Sequence, residues 1–508
     1  MNPRDDSTLS AAPAAAARFS ALGYGRAVAL ITGIGAVVRL AFLARQPIGY
    51  DEDFTAVVVH QPLARMIDMV SRDSAPPLFY ILESGVTALA DLLGLASFGG
   101  PGGPVALRLV PALAGIAAIP LIAALARRVA GDTAGMWAAA FVAAVPTAVM
   151  LSGFARMYGL ASTLSVASAL LLWRAVEKPS LMRWLAYAAA AAAAVWTDYF
   201  SIVALAGIFL AAMWLRPGWR SAGQAFVATA IAVASIAPWL FVARAQFEHS
   251  GQSFWVPPLS PVMLGGTLAQ LFMGPPLDTR LPFGYVLIGL QEVAVVTGIV
   301  ALAAAAVAWR GLGLEGRRAA AFCLLAASGV ALLTVVSIWR PVLDGRYASV
   351  MWLPLFALAG VGLMAMPRRV ATLLVAAVAI ASLALSVATT HRETSTLIPQ
   401  LNAEIGPHDV AIAGWDQYLV LVDEAGPGVQ ARLHVVSNGN PPWWVGTAAY
   451  PAGAVIPGVP ADVVAAGGRV FWIGDPGVAT PPMPPGYRPQ ELSCAIEACL
   501  TIYVPAGG

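Results

Sequence analysis

Tyr50-Asp51-Glu52-Asp53-Phe54 sets three carboxylates side by side directly after the first long apolar stretch of the chain. Charges beside a hydrocarbon phase are costly and mark functional positions by default. Adjacent carboxylates repel, which raises at least one pKa unless a cation or metal answers them. One of them can then act as a general base toward an acceptor hydroxyl. Asp51 and Asp53 can instead hold a divalent ion through their oxygens. The third reading is a solvated helix start, where acids favour the dipole.

Arginines near apolar segments supply the complementary charge. Arg346-Tyr347 ends the loop Arg340-Pro341-Val342-Leu343-Asp344-Gly345 and enters a helix. A guanidinium there either grips a phosphate bidentately or snorkels toward headgroups. Arg156-Met157-Tyr158 invites the same two readings. In Trp196-Thr197-Asp198-Tyr199-Phe200 the aromatics suit an interfacial belt, and Asp198 can bind a polar headgroup. Arg39, inside the first apolar stretch, either pairs with an acid of the patch or reaches the interface. The loop Arg244–Arg280, with Glu248, His249 and Trp255, is expected to fold over a groove as a lid, with His249 a surface residue.

These groups need elements to carry them. The chain has 508 residues, 59% hydrophobic and 11% charged. Soluble chains carry about 25% charged residues. Repeated apolar stretches of near-span length make it a polytopic helical membrane protein. A net charge of +2 gives no basic field for nucleic acid. Apolar segments fall near 25–45, 77–97, 105–126, 133–150, 155–173, 184–197, 200–215, 222–243, 284–309, 319–338, 347–366 and 370–389.

Basic clusters decide the topology. Arg127-Arg128, Arg174/Lys178/Arg183, Arg216/Arg220, Arg310/Arg317/Arg318 and Arg368-Arg369 separate several segments. The positive-inside rule wants them cytoplasmic. They all fall inside only if segment 77–97 does not cross. That segment opens with Pro76-Pro77, carries Glu83 and Asp91 and ends in Gly99-Gly100-Pro101, so it is expected to lie at the interface. The expectation is a cytoplasmic tail 1–24, a module over 25–390 with about eleven transmembrane helices and an outer loop 46–104, and an outer C-terminus.

Residues 391–508 are richer in Pro, Gly and Asp and less apolar. Val410–Ala413, Arg432–Val436 and Arg469–Ile473 read as short buried strands and Ala461–Ala466 as a brief helix, giving a small extracytoplasmic α/β domain. Cys494 and Cys499 can bridge in an oxidising compartment, whereas Cys323 reads as a small core residue.

The stretches FLARQPIGYDEDFT (Phe42–Thr55), DSAPPLFY (Asp73–Tyr80) and ALRLVPALAG (Ala106–Gly115) together resemble type C glycosyltransferases. The likeness is to bacterial relatives of the protein O-mannosyltransferases and the lipid A aminoarabinose transferase. It continues through Ala155-Arg156-Met157-Tyr158, Thr197-Asp198-Tyr199 and Arg346-Tyr347 and covers roughly residues 25–390. The resemblance implies an enzyme of the bacterial inner membrane that uses a polyprenyl-phosphate sugar on the extracytoplasmic face. It implies Asp51 as catalytic base, Glu52 as its acidic neighbour, and Arg346 on the donor phosphate. Arg108 matches the family's arginine before the second span, and Arg156 is a further candidate for the phosphate. Two positions depart from the pattern. Ala75 precedes Pro-Pro where the family has His or Lys, which moves a headgroup contact to Arg72 or Asp73. Asp198 stands where the family often has His.

The expected reaction is inverting transfer to an acceptor hydroxyl on a glycan, glycolipid or protein. Arg346, with Arg108 or Arg156, stabilises charge growing on the leaving phosphate. Asp53, Asp73, Tyr158, Asp198 and Tyr347 are the expected substrate contacts. Mg or Mn on Asp51 and Asp53 is optional, because no full ligand set is visible. The rival class is a transporter or flippase of a lipid-linked saccharide. That class wants midplane charges and repeated broken helices, whereas here the charges gather at one face.

Overall fold

A computed structural model describes residues 23–43, 48, 50–95, 103–249, 255–275, 283–388, 394–437, 442, 445–476, 480–495 and 498–506. Most of the expected N-terminal tail, the Gly99-Gly100-Pro101 turn and the His249 side chain fall outside them. Among the described residues seven helices are long and apolar enough to cross a membrane. They are Tyr24–Ala41, Leu109–Ala144, Tyr158–Glu177, Trp219–Val242, Gly284–Gly311, Leu314–Val336 and Arg368–Ala388. Gly345–Trp352 and Pro354–Ala365 form an eighth candidate, bent by 68° where Pro354 interrupts the backbone ladder.

The 36-residue helix Leu109–Ala144 breaks at Ala130 and Gly131, where Gly131 takes φ 79°, a conformation that favours glycine. The break separates the expected segments 105–126 and 133–150. By length and composition the described residues thus give seven candidate spans, or eight with the bent pair, against the eleven or so expected; the expected segments 184–197 and 200–215 are the shorter helices Leu181–Thr197 and Phe200–Trp214.

Small residues let the helices approach closely, as in membrane bundles generally. A Cβ on Gly360 would come within 2.6 Å of the Ala138 backbone nitrogen, and one on Gly362 within 2.7 Å of the Ala301 carbonyl carbon. The segment expected at the interface is the 15-residue helix Leu78–Leu92, which is not among the long spans. It buries Phe79, Tyr80, Glu83 and Thr87 on one face and exposes Leu82, Leu89 and Leu92 on the other, a pattern suited to lying on a bilayer.

Arg39 does neither of the things expected of it. It is 2% exposed, and its guanidinium donates to Ser152 Oγ (3.0 Å) and to the carbonyls of Gly35, Val142 and Ala143 (2.9–3.2 Å). A buried cation inside a bundle can be satisfied by backbone carbonyls in place of a carboxylate. Gly35 and Gly115 make the room: a Cβ at Gly115 would strike Ser152, and one at Gly35 would meet Arg39 and Ile119.

The C-terminal region is a six-stranded sheet in the order β3-β2-β1-β4-β6-β5. Its strands are β1 (Val410–Ala413), β2 (Leu433–Val436), β3 (Val455–Ile456), β4 (Val470–Gly474), β5 (Tyr487–Cys494) and β6 (Cys499–Pro505). The first four pair in parallel; β6 pairs antiparallel with β4 and with β5. β1, β2, β4 and the helix Ala461–Ala465 match the sequence reading to within a residue or so. A disulfide joins Cys494 and Cys499 across the β5–β6 hairpin, and Cys323 is buried and free.

Candidate functional site at the Asp51–Arg346 pair

The acidic patch forms the first turn of the helix Tyr50–Val59, where carboxylates favour the dipole. Its three acids have different fates. Glu52 is 3% exposed and takes Arg108 bidentately, Nε to Oε1 at 2.8 Å and Nη2 to Oε2 at 2.6 Å. Asp53 is fully buried. Asp51 alone keeps substantial access, with its side chain 32% exposed.

Arg108 is placed by its position at the N-cap of Leu109–Ala144. It also donates from Nη1 to the Leu43 carbonyl at 2.9 Å and is 1% exposed. Glu52 Oε1 accepts the Ala155 N–H at 2.7 Å, and Thr55 Oγ1 donates to the Ala155 carbonyl at 2.9 Å. Both peptide groups of Ala155 are thus tied to the acidic helix, which sets the next residue, Arg156, beside Asp51. Arg156 Nη1 reaches the Asp51 carbonyl at 3.3 Å, and its guanidinium carbon lies 5.6 Å from the centre of the Phe54 ring.

Arg346 arrives from the other end of the chain. Asp344 caps the helix Gly345–Trp352: its Oδ1 accepts the Arg346 N–H at 2.9 Å and Nε at 3.4 Å. So oriented, Arg346 donates from Nη1 to Asp51 Oδ2 at 2.5 Å. Trp255 covers the pair, with the guanidinium carbon 4.6 Å from its ring centre. This residue belongs to the loop expected to act as a lid. Trp255 Nε1 also donates to Tyr347 Oη at 3.3 Å, and Tyr347 stacks on Phe200 at 4.7 Å and lies 6.0 Å from Tyr158.

Next to this pair is a second, more buried set of polar groups. Asp198 caps Leu181–Thr197; its Oδ1 accepts the Phe200 N–H at 2.7 Å, while its Oδ2 is buried without a partner. Burial pushes its carboxyl up to about 7, against the opposing pull of the Phe200 N–H and Arg156. Asp73 is buried too and is likewise raised by desolvation, with Arg156 and Ser74 opposing. Arg156 Nε and Tyr80 Oη are also buried without partners. Unpaired buried polar atoms are rare; here one belongs to the Arg156 guanidinium and two, on Asp198 and Tyr80, are close enough to interact with it electrostatically. Of the two residues expected to replace the missing contact before Pro-Pro, Arg72 is instead held on the surface by Asp68 at 2.6 Å, and Asp73 faces the site.

All ten expected site residues therefore gather in one region, but Arg108 faces Glu52 rather than Asp51. Sequence reading missed Asp344 and Thr55, although an Asp two residues before a helix arginine is a capping signal. It also missed Gln246, which is 6% exposed and bridges Tyr199 Oη (2.8 Å) to the carbonyls of Val70 (2.7 Å) and Ala75 (3.3 Å). Nothing in the spacing announces that bridge. Among the described residues no group of three or more His, Cys, Asp or Glu side chains is disposed to hold a metal. An apolar groove of about 410 Å³, lined by Leu264, Leu268, Leu324, Val330 and Leu355, opens between Pro261–Met273, Leu314–Val336 and the bent pair that begins at Gly345.

A fold with these features has known counterparts. The family model for Dolichyl-phosphate-mannose-protein mannosyltransferase matches residues 86–241. No curated protein matches the sequence. The structure of ArnT from Cupriavidus metallidurans in the apo state superposes with a TM-score of 0.59 at 16% identity, covering 94% of this chain and 97% of that one. The same protein bound to undecaprenyl phosphate gives a TM-score of 0.56 at 15% identity, covering 95% and 98%. The chain has an ArnT-like fold, a bundle of helices long and apolar enough to cross a membrane with a small C-terminal sheet domain.

Proposed function

We propose that the protein is a membrane glycosyltransferase that moves a sugar from a polyprenyl-phosphate donor to an acceptor hydroxyl. In this reading the site opens on the extracytoplasmic face of a bacterial inner membrane, with the N-terminus cytoplasmic and the C-terminal domain outside. The observation that carries it is the Asp51–Arg346 pair: an accessible carboxylate and an accessible guanidinium at one spot. Further support comes from the fold shared with a protein that binds undecaprenyl phosphate.

The chemistry follows from the leaving group. A phosphate ester anion departs without strong protonation, so one base and one phosphate clamp suffice. The donor phosphate competes with Asp51 for Arg346, and Arg346 turns its planar fork to the phosphate oxygens. Asp51 is thereby freed. The acceptor oxygen attacks the anomeric carbon from the face opposite the phosphate, the carbon–oxygen bond to phosphate breaks, and Asp51 takes the hydroxyl proton. Inversion results. Arg346, with Arg156, steadies the negative charge gathering on the phosphate. Asp198, Tyr80 and Arg156 offer the donor sugar two acceptors and a donor for its hydroxyls, with Asp73, Asp53, Tyr158 and Tyr347 walling the space. The apolar groove that reaches Leu355 of the bent pair carrying Arg346 suits the polyprenyl tail.

Glu52 and Arg108 act as positioning residues in this scheme, holding Ala155 and hence Arg156. If a Mg or Mn ion takes part, Asp51 and Asp53 are its candidate ligands, and among the described residues no third carboxylate or imidazole is arranged with them for it.

Purified protein incubated with a panel of polyprenyl-phosphate sugars tests the reading. Release of polyprenyl phosphate with transfer to an added acceptor is expected. Intact donor in every case, or movement of the donor across a vesicle membrane without cleavage, would refute it.

A further inference from the structure

The C-terminal sheet meets the membrane module with one particular edge. The helix Trp415–Glu424, which follows β1, packs on the helix that carries Asp51. Gly446, with φ 71°, is wedged between them: a Cβ there would lie 2.9 Å from Leu419 Cδ1 and 3.0 Å from Phe54 Cδ2. Phe54 and Leu419 are both buried, so the two parts share one core.

The strand order reverses beside β1. From β1 the chain goes outward to β2 and β3, then returns across the sheet to β4 on the other side of β1. Open α/β sheets bind ligands where the order reverses, beyond the carboxyl ends of those strands. Here that place holds Asp416 and Gln417 after β1 and Asp475 after β4. Gln417 Nε2 donates to Asp475 Oδ1 at 3.0 Å. The Gln417 side chain is 6% exposed, and its Oε1 is buried with no partner. Asp416 is exposed and Asp475 half-buried, and neither has an ion-pair partner among the described residues. Burial raises the Asp416 carboxyl, and Asp475 and then Asp51 oppose its ionisation further.

Charge is therefore divided across the site. The membrane module contributes Arg346 and Arg156, which suit the donor phosphate. The sheet domain contributes two uncompensated carboxylates and an amide oxygen, which accept hydrogen bonds and repel anions. A nucleotide or phosphorylated ligand is disfavoured there by Coulomb repulsion. Vicinal hydroxyls or an ammonium group fit the same acceptor atoms.

We infer that Asp416, Gln417 and Asp475 form the acceptor subsite, and that it takes a glycan whose sugar units are neutral or amine-bearing and not phosphorylated. This rests on the transferase reading above and names the acceptor class for it.

The test uses the full-length protein in nanodiscs. Binding of mannotriose, tri-glucosamine and phosphorylated mannotriose is measured by saturation-transfer NMR for the unaltered protein, Asp416→Asn and the Asp416→Asn/Asp475→Asn pair. Binding of undecaprenyl phosphate is measured in parallel, with Arg346→Ala as its control. The neutral and amine-bearing trisaccharides should bind, and the phosphorylated one more weakly. The paired substitution should weaken trisaccharide binding about tenfold, most for tri-glucosamine, and leave lipid binding as it was. Asp416→Asn alters an exposed side chain and should show a smaller effect of the same sign. Unchanged trisaccharide binding in the paired variant, no binding of any trisaccharide to the unaltered protein, or preference for the phosphorylated one would overturn the inference. Failure of the donor reading is separate: it appears as undecaprenyl phosphate that does not bind, or that binds equally to Arg346→Ala.

Discussion

Asp51 and Arg346 stand 295 positions apart in the chain, and their side chains meet at 2.5 Å with each about a third exposed. An exposed pair of this kind contributes little stability, on the order of 0–1 kcal/mol. Its use is better sought in exchange: a phosphate can displace the carboxylate from the guanidinium and set it free in the same movement.

Asp51→Asn is expected to lower turnover roughly 10²–10⁴-fold, the range for loss of general acid–base help. Undecaprenyl phosphate should bind the variant at least as well as the unaltered protein, because the amide competes less for Arg346. Steady-state transfer together with equilibrium lipid binding checks both halves. Near-normal turnover would remove Asp51 from the mechanism.

Arg346→Lys keeps the charge but loses the planar fork and its stacking on Trp255. Lipid phosphate binding should weaken about tenfold, since charge-assisted bidentate bonds are the strong ones. Isothermal titration with undecaprenyl phosphate reads this directly.

Arg108→Ala should behave differently. It strands Glu52, a buried carboxylate, and breaking such a pair costs about 3–5 kcal/mol. A large drop in thermal stability in detergent is expected, partly recovered in the double variant Glu52→Gln/Arg108→Met. A stable Arg108→Ala protein that no longer binds the lipid phosphate would instead return Arg108 to the donor site.

Asp198 provides a pH signature. Its carboxyl titrates near 7 in the folded chain, against about 4 when free. The folded state therefore holds a proton that the unfolded state has released between those values. The contribution of Asp198 to stability is therefore full below about pH 4 and is lost as pH rises toward 7, where the buried group charges. Asp198→Asn should flatten that slope, and thermal melts from pH 5 to 8 measure it. An unchanged slope would place the carboxyl in a wetter setting than its burial implies.

The acids and arginines of the site were legible because each sits where a charge is expensive, and because the positive-inside rule put them on one face. Their convergence was legible for Asp51 and Arg346. It was not for Arg108, because a single sequence does not say whether a guanidinium faces a phosphate or the carboxylate beside it. Glu52 decided that through burial. Arg39 was misread for a related reason: backbone carbonyls, which no pattern advertises, solvate it. Three strands of the C-terminal domain, β1, β2 and β4, were visible as apolar runs; β3 and β6 were not read, and β5 gave the least sign of itself. Its exposed, polar face gives no hydrophobic signal, and it is fixed by pairing with β6 and the disulfide.

Arg39 has a wider meaning for the opening helix. A guanidinium lodged among Ser152 and the carbonyls of Val142 and Ala143 makes that helix a keyed part of the bundle rather than an interchangeable tether. A foreign hydrophobic segment of equal length would enter the bilayer yet leave a vacant keyhole behind the loop that presents Arg156.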